Sequence, residues 1–66
     1  MKKILIPEKV KSYRKEHRLT QEEFGSIIGV SAQAVSKWEK GLCYPDITFL
    51  PDLAETMGCV IDDFFA

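Results

Sequence analysis

The chain is predicted to be all-α, a compact arrangement of five short helices, and three observations carry that prediction. Apolar residues recur at i, i+3 and i+4 throughout, while no segment alternates with period two for long enough to make a strand. Residues that start helices (Thr20, Ser31, Thr48) and glycines that stop them (Gly29, Gly41) punctuate the periodic segments. The 66 residues, 45% hydrophobic and 29% charged, have the composition of a folding globular chain. One domain spanning residues 1–66 is expected. A domain this small buries only about 60% of the surface its unfolded chain exposes.

The first helix is expected from Pro7, whose fixed φ suits a first turn, with Val10, Tyr13 and Arg14 facing inward. Its last turn carries Arg14, Lys15, His17 and Arg18, cations placed at the negative end of the helix dipole, and His17 reads as a surface residue. Helix 2, "LTQEEFGSIIG", opens with Thr20 and Glu23 at capping-box spacing and ends at Gly29. Helix 3, "VSAQAVSKWEKG", follows at once, capped by Ser31 and stopped by Gly41. After the loop "LCYPDI", Thr48 is expected to cap "FLPDLAETMG", with Pro51 inside the first turn. "CVIDDFF" supplies a short fifth helix, with Ile61 and Phe64 in the core and Val60 and Phe65 left for a partner, the alternative being that both phenylalanines complete a core this small.

A net charge of -1 conceals a division. Residues 1–41 hold all nine Lys and Arg against five acids, while residues 42–66 hold five acids and no base. The basic half suits a polyanion, although an ordinary solvated surface accounts for the same charges. Cys43 and Cys59 form no CxxC pair and have no histidine at zinc-finger spacing, so reduced thiols are expected and no metal or cofactor is implied. "MKKILIP" is far too short for a signal peptide, and no stretch approaches the roughly 20 apolar residues of a membrane span. A cytoplasmic protein with no membrane association is the expectation.

Helix 3 carries only two large apolar residues. At about 100° per residue, Val35 and Trp38 share one side, while Gln33, Ser36, Lys37 and Lys40 cluster on the opposite side. One narrow face holds the helix to the protein and the other is free. Two short helices joined by a glycine turn, the second with a polar outer face, form the pattern that sets a second helix in the DNA major groove. A solvated amphipathic helix would show much the same polarity.

The segment "LTQEEFGSIIGVSAQAVSKWEKG" resembles the phage-repressor and Cro-like helix-turn-helix family, the XRE family, with the motif over about residues 20–40. The resemblance continues through Pro45-Asp46 and "LAETMGCVIDDFF", so it covers Pro7 to Phe65. It implies a lambda-repressor-like fold and a transcriptional regulator, a repressor, that binds double-stranded DNA in a sequence-specific way. By the same resemblance Gln21 anchors a phosphate, Ala32, Gln33, Ser36 and Lys37 read bases, and Ser31 and Lys40 meet the backbone. The chemistry agrees, since Gln pairs with adenine, Lys favours guanine and Ala touches a thymine methyl. Tyr44 suits either a phosphate hydrogen bond or packing on Pro45. Arg14 and Glu39 match positions that form a partly buried ion pair in such proteins.

The chain departs from the family pattern at four places. Gly25 replaces a common Ala where helices 2 and 3 approach, Ile27 stands where a polar residue is usual, the loop "GLCYPD" lacks bases, and Cys59 takes an aliphatic core position. The expected partner is a palindromic operator, bound by a two-fold homodimer built through the acidic half, because one recognition helix reads only a few base pairs. A protein-interaction module, such as an antitoxin-like partner, is the alternative. An enzyme is not expected, because Ser31, Ser36 and Cys43 have no base-and-orienter arrangement with the single His17 and no small-molecule substrate is implied.

Overall fold

Pro7 lies in the first turn of the first helix, where its missing N–H leaves no bond unmade. In the computed structural model, which describes Lys2–Ala66, four α-helices follow in order. They are α1 (Ile6–Glu16), α2 (Gln21–Ile28), α3 (Ala32–Lys40) and α4 (Leu50–Met57), with 3-10 turns at Ile47–Phe49 and Ile61–Phe64. Val10 of α1, Phe24 of α2, Val35 of α3, Leu53 of α4 and Phe64 of the last turn meet in a core from which water is fully excluded. Every element contributes to one small interior, so each large side chain in it stabilises several elements at once.

The four α-helices end alike. The residue after the last turn is left-handed, at Gly29 (φ 93°), Gly41 (71°) and Gly58 (68°), and at Arg18 (56°) after α1. At α1 the Leu19 N–H donates to the Arg14 carbonyl at 2.8 Å and the Arg18 N–H to the Lys15 carbonyl at 3.2 Å, the paired bonds of a Schellman motif. Arg18 adopts this conformation against a steric cost of about 1–2 kcal/mol.

Three expectations are corrected. The segment "CVIDDFF" forms a 3-10 turn instead of a fifth α-helix, because Val60 before it and Phe65 after it are extended, which leaves only Ile61–Phe64 to coil. Four residues hold i→i+3 bonds better than they sustain an α-helix. The Asp63 carboxylate accepts from the Val60 N–H at 3.1 Å and fixes the entry to the turn.

Thr48 is not a helix cap. It lies inside the turn Ile47–Phe49, where its N–H and hydroxyl donate to the Asp46 carboxylate at 3.2 and 2.6 Å, so Asp46 caps and α4 begins later, at Leu50. Finally, Ile61 is 38% exposed and Phe65 is half-buried, an exchange of the roles expected from the apolar pattern. An antiparallel bridge between Ile4 and Phe65 holds Phe65 against the core, while Ile61 lies in the 3-10 turn before it.

Candidate nucleic-acid interface

Helix α3 is held by one face and one end. Val35 is fully buried and Trp38 is 4% exposed, while Gln33, Lys37 and Lys40 are exposed on the far side and Ala32 and Ser36 are half-buried on the flanks. Ser31 is exposed, and its Oγ accepts from the Ala34 N–H at 3.1 Å, satisfying one of the free amides at the start of α3. At α2 the Thr20 hydroxyl accepts from the Glu23 N–H at 3.0 Å and the Glu23 carboxylate accepts from the Thr20 N–H at 2.8 Å. Both helix starts lie where the sequence pattern expected them.

The turn between these helices depends on Gly25. A Cβ there would stand 2.5 Å from the Val30 carbonyl oxygen and 3.3 Å from Ser31 backbone atoms. The Gly25 carbonyl itself accepts from the N–H groups of Gly29 and Val30 at 2.7 and 2.8 Å. The absence of a side chain therefore sets how closely the loop before α3 lies on α2.

A second restraint joins α3 to α1. Arg14 donates through Nε to Glu39 Oε2 at 2.7 Å and through Nη2 to Glu39 Oε1 at 3.0 Å, and its Nη1 donates to the Leu19 carbonyl at 3.1 Å. The side chains are only 17% and 5% exposed, so the expected partly buried ion pair is present, and its geometry is bidentate. Burial works to raise the Glu39 carboxyl, but the hydrogen bonds from Arg14 and Gln21, with the charges of Arg14 and Lys11, outweigh it and hold the group below its ordinary value. Hydrogen bonding to Glu39 correspondingly raises Arg14 despite partial burial.

Gln21 lies at the first position of α2, half-buried, with its amide Nε2 3.4 Å from Glu39 Oε1, so the pair also orients this side chain. Tyr44 is 47% exposed, with its hydroxyl beside Gly41 at the end of α3. The structure thus brings Gln33, Ser36, Lys37 and Lys40 together along one helix, with Ser31 and Ala32 at its start, Tyr44 at its end and Gln21 on the neighbouring helix.

Sequence reasoning passed over Lys2 and Lys3. They line a cleft of about 450 Å³ together with Lys40 and Tyr44. The signal lay in the opening "MKK", but their proximity to α3 depends on the Ile4–Phe65 bridge, which no local pattern announces.

The fold and the free face of α3 define a helix-turn-helix protein. A model of the family described as "Helix-turn-helix" matches residues 10–64. The chain is 39% identical over 57 residues, 86% of each sequence, to an uncharacterized HTH-type transcriptional regulator of Methanocaldococcus jannaschii. It also superimposes on the P22 c2 repressor in complex with a synthetic operator, with TM-score 0.82, 29% identity and 94% of each chain covered. SinR, a master regulator for biofilm formation solved in complex with DNA, matches with TM-score 0.74, 27% identity and coverage of 89% and 95%. The chain belongs to the helix-turn-helix family, as the motif in residues 20–40 indicated. No helix among the described residues is long and apolar enough to cross a membrane.

Proposed function

We propose that this chain is a sequence-specific double-stranded-DNA-binding transcriptional regulator, acting as a repressor in the cytoplasm, with α3 entering the major groove. The observation that carries this reading is the free face of α3, held at a fixed offset from α1 and α2 by the Arg14–Glu39 pair and the Gly25 approach. A preorganised polar helix with short side chains at its start approaches base edges without first being ordered. The similarity to a repressor and a master regulator solved in complex with DNA supports the same reading over that of a protein-interaction module.

In this proposal the 66 residues act as one DNA-binding unit. Ala32, Gln33, Ser36 and Lys37 face base edges. Gln21, Ser31, Lys40 and Tyr44 contact the sugar-phosphate backbone. The chain binds a palindromic operator as a homodimer through the acidic half, where Val60 is 63% exposed and Ile61 38%. It needs no cofactor or small-molecule substrate.

Selection of bound sequences from random duplex DNA tests the proposal directly. A defined site with two-fold symmetry is expected, and enrichment of no sequence overturns specific recognition. On the selected site Gln33→Ala is expected to lose roughly 1–3 kcal/mol and to relax one base pair, because a bidentate contact to a base is removed without a change of charge. Lys40→Ala is instead expected to weaken binding to every sequence and to lower the salt slope by about one unit. Sedimentation on the palindromic duplex reads the assembly, and one chain per palindrome at saturation excludes the dimer.

A further inference from the structure

We infer that the cleft between the N-terminal segment and the end of α3 is a further DNA-backbone site, in which Lys2 and Lys3 bind phosphate beside Lys40 and Tyr44. The inference rests on the proposed DNA binding and extends the interface beyond the helix-turn-helix itself.

The charges of the cleft are unevenly opposed. Lys2, Lys3 and Lys40 line it together with Glu8 and Glu39. Glu39 is already engaged by the Arg14 guanidinium at 2.7 and 3.0 Å, which leaves Glu8 alone against three ammonium groups. Lys2 also stands 3.7 Å from Asp62, but the two side chains are 68% and 84% exposed. A pair so solvated contributes little, so Lys2 exchanges Asp62 for a phosphate at small cost.

Lys3 is also held in place by backbone bonds, and Lys2 adjoins it. The Lys3 N–H donates to the Ala66 carbonyl at 3.0 Å, the Ala66 N–H donates back to the Lys3 carbonyl at 2.9 Å, and the Leu5 N–H donates to the Phe64 carbonyl at 2.7 Å. The N-terminal segment is therefore fastened along the protein, and the entropy of ordering its backbone is spent in folding instead of binding. That fastening distinguishes the site from a flexible basic arm.

Position supplies the link to DNA. Lys40 belongs both to the free face of α3 and to the cleft wall, so the two surfaces are continuous. Each strand of a duplex presents a charge about every 3.4 Å along the axis, so a helix seated in the major groove brings further phosphates past its flanks. Backbone amides do not serve here, because the Gly41 N–H is used within α3 and bonds to the Trp38 carbonyl at 3.1 Å. Recognition falls to the ammonium groups and the Tyr44 hydroxyl, whose side chain is 47% exposed. The acidic loop and last turn carry no base to extend the interface on the other side.

The test measures affinity for the selected duplex over a range of salt concentrations with the full chain, its Lys2→Ala/Lys3→Ala variant and a Lys15→Ala control on the exposed side of α1. The double variant is expected to lower the salt slope by about two units while selecting the same sequence, with Lys2→Arg/Lys3→Arg restoring the slope and Lys15→Ala leaving it unchanged. An unchanged slope in the double variant, beside a reduced slope in Lys40→Ala, overturns the phosphate site and leaves the proposed function intact. Failure of the unaltered chain to bind any duplex overturns both. If the double variant changes self-association and not the slope, the cleft holds an acidic segment of a second copy and the inference is wrong. The lysines are exposed, and an unchanged melting temperature shows that the variant remains folded.

Discussion

Residues 1–41 and 42–66 differ in how they are held as much as in charge. In the first part, paired side-chain hydrogen bonds fix the Thr20 cap and the Arg14–Glu39 bridge, a single one fixes the Ser31 cap, and α2 and α3 meet around a glycine. In the second part the bonds made by its own side chains are local and exposed, Asp46 to Thr48 and Asp63 to Val60, with the Tyr13 hydroxyl of α1 donating to the Thr56 carbonyl at 3.1 Å, and large apolar side chains stand in water, with Leu42 at 71% and Ile47 at 75% exposure. The basic part is a positioned unit whose geometry is over-determined. The acidic part delivers Leu53, Ala54 and Phe64 to the core and keeps apolar surface outside it. Within one small protein, the side-chain restraints gather around the helix that presents a free polar face.

Breaking the Arg14–Glu39 pair should erase most of that difference. Arg14→Ala or Glu39→Ala strands a nearly buried charge, and a loss of about 3–5 kcal/mol is expected. Denaturant unfolding of both single variants and the double variant measures it, with strong coupling as the expected result. The same pair sets an acid limit. Because the folded Glu39 carboxyl lies below its ordinary value, its contribution is fully present above the unfolded range near about 4.3 and is lost as pH falls through the folded value. Melting temperature is expected to fall less steeply with acid in Glu39→Gln, whose stability is already reduced at neutral pH.

A smaller effect is expected at the α2–α3 turn. Gly25→Ala gains up to about 1 kcal/mol of helix propensity, but its Cβ would meet the Val30 carbonyl oxygen at 2.5 Å and force the turn open. Backbone displacement of this kind costs about 1–3 kcal/mol, so a net loss of stability is expected, with a larger loss of specific DNA affinity than of random-duplex affinity as α3 shifts. Calorimetry and binding on both duplexes read the two parts.

The smallest effect sharpens the comparison by improving the basic part. Arg18 holds the left-handed position that glycine fills after the other three helices. Arg18→Gly is expected to raise stability by up to about 1 kcal/mol, the relief of steric cost being partly offset by the greater freedom of the unfolded chain. Thermal unfolding tests this, and a fall in melting temperature would show that the Arg18 side chain stabilises α1 in another way.

The helix-turn-helix was legible because its signals are local. Thr20 with Glu23, Ser31, and the glycines at 29 and 41 act through bonds that span three to five residues, and the structure places each of them as the pattern indicates. Arg14 and Glu39, 25 positions apart, were legible through likeness to a family, together with Arg14 beside the inward face of the first helix and Glu39 beside Trp38. Thr48 misled because an aspartate two residues earlier accepts from its N–H and its hydroxyl and opens a 3-10 turn there, so the Thr48 side chain donates instead of capping.

The sequence by itself determined where α2 and α3 start and stop, which side of α3 is apolar, and that the cations lie in one part of the chain. Each of these follows from propensity, capping and periodicity over a few residues. Only the tertiary structure decided that Phe65 turns inward and Ile61 outward, and that Lys2 and Lys3 stand beside the end of α3. These outcomes depend on Ile4 meeting Phe65, two residues 61 positions apart whose pairing is favourable only once the helices between them have packed and brought the chain ends together.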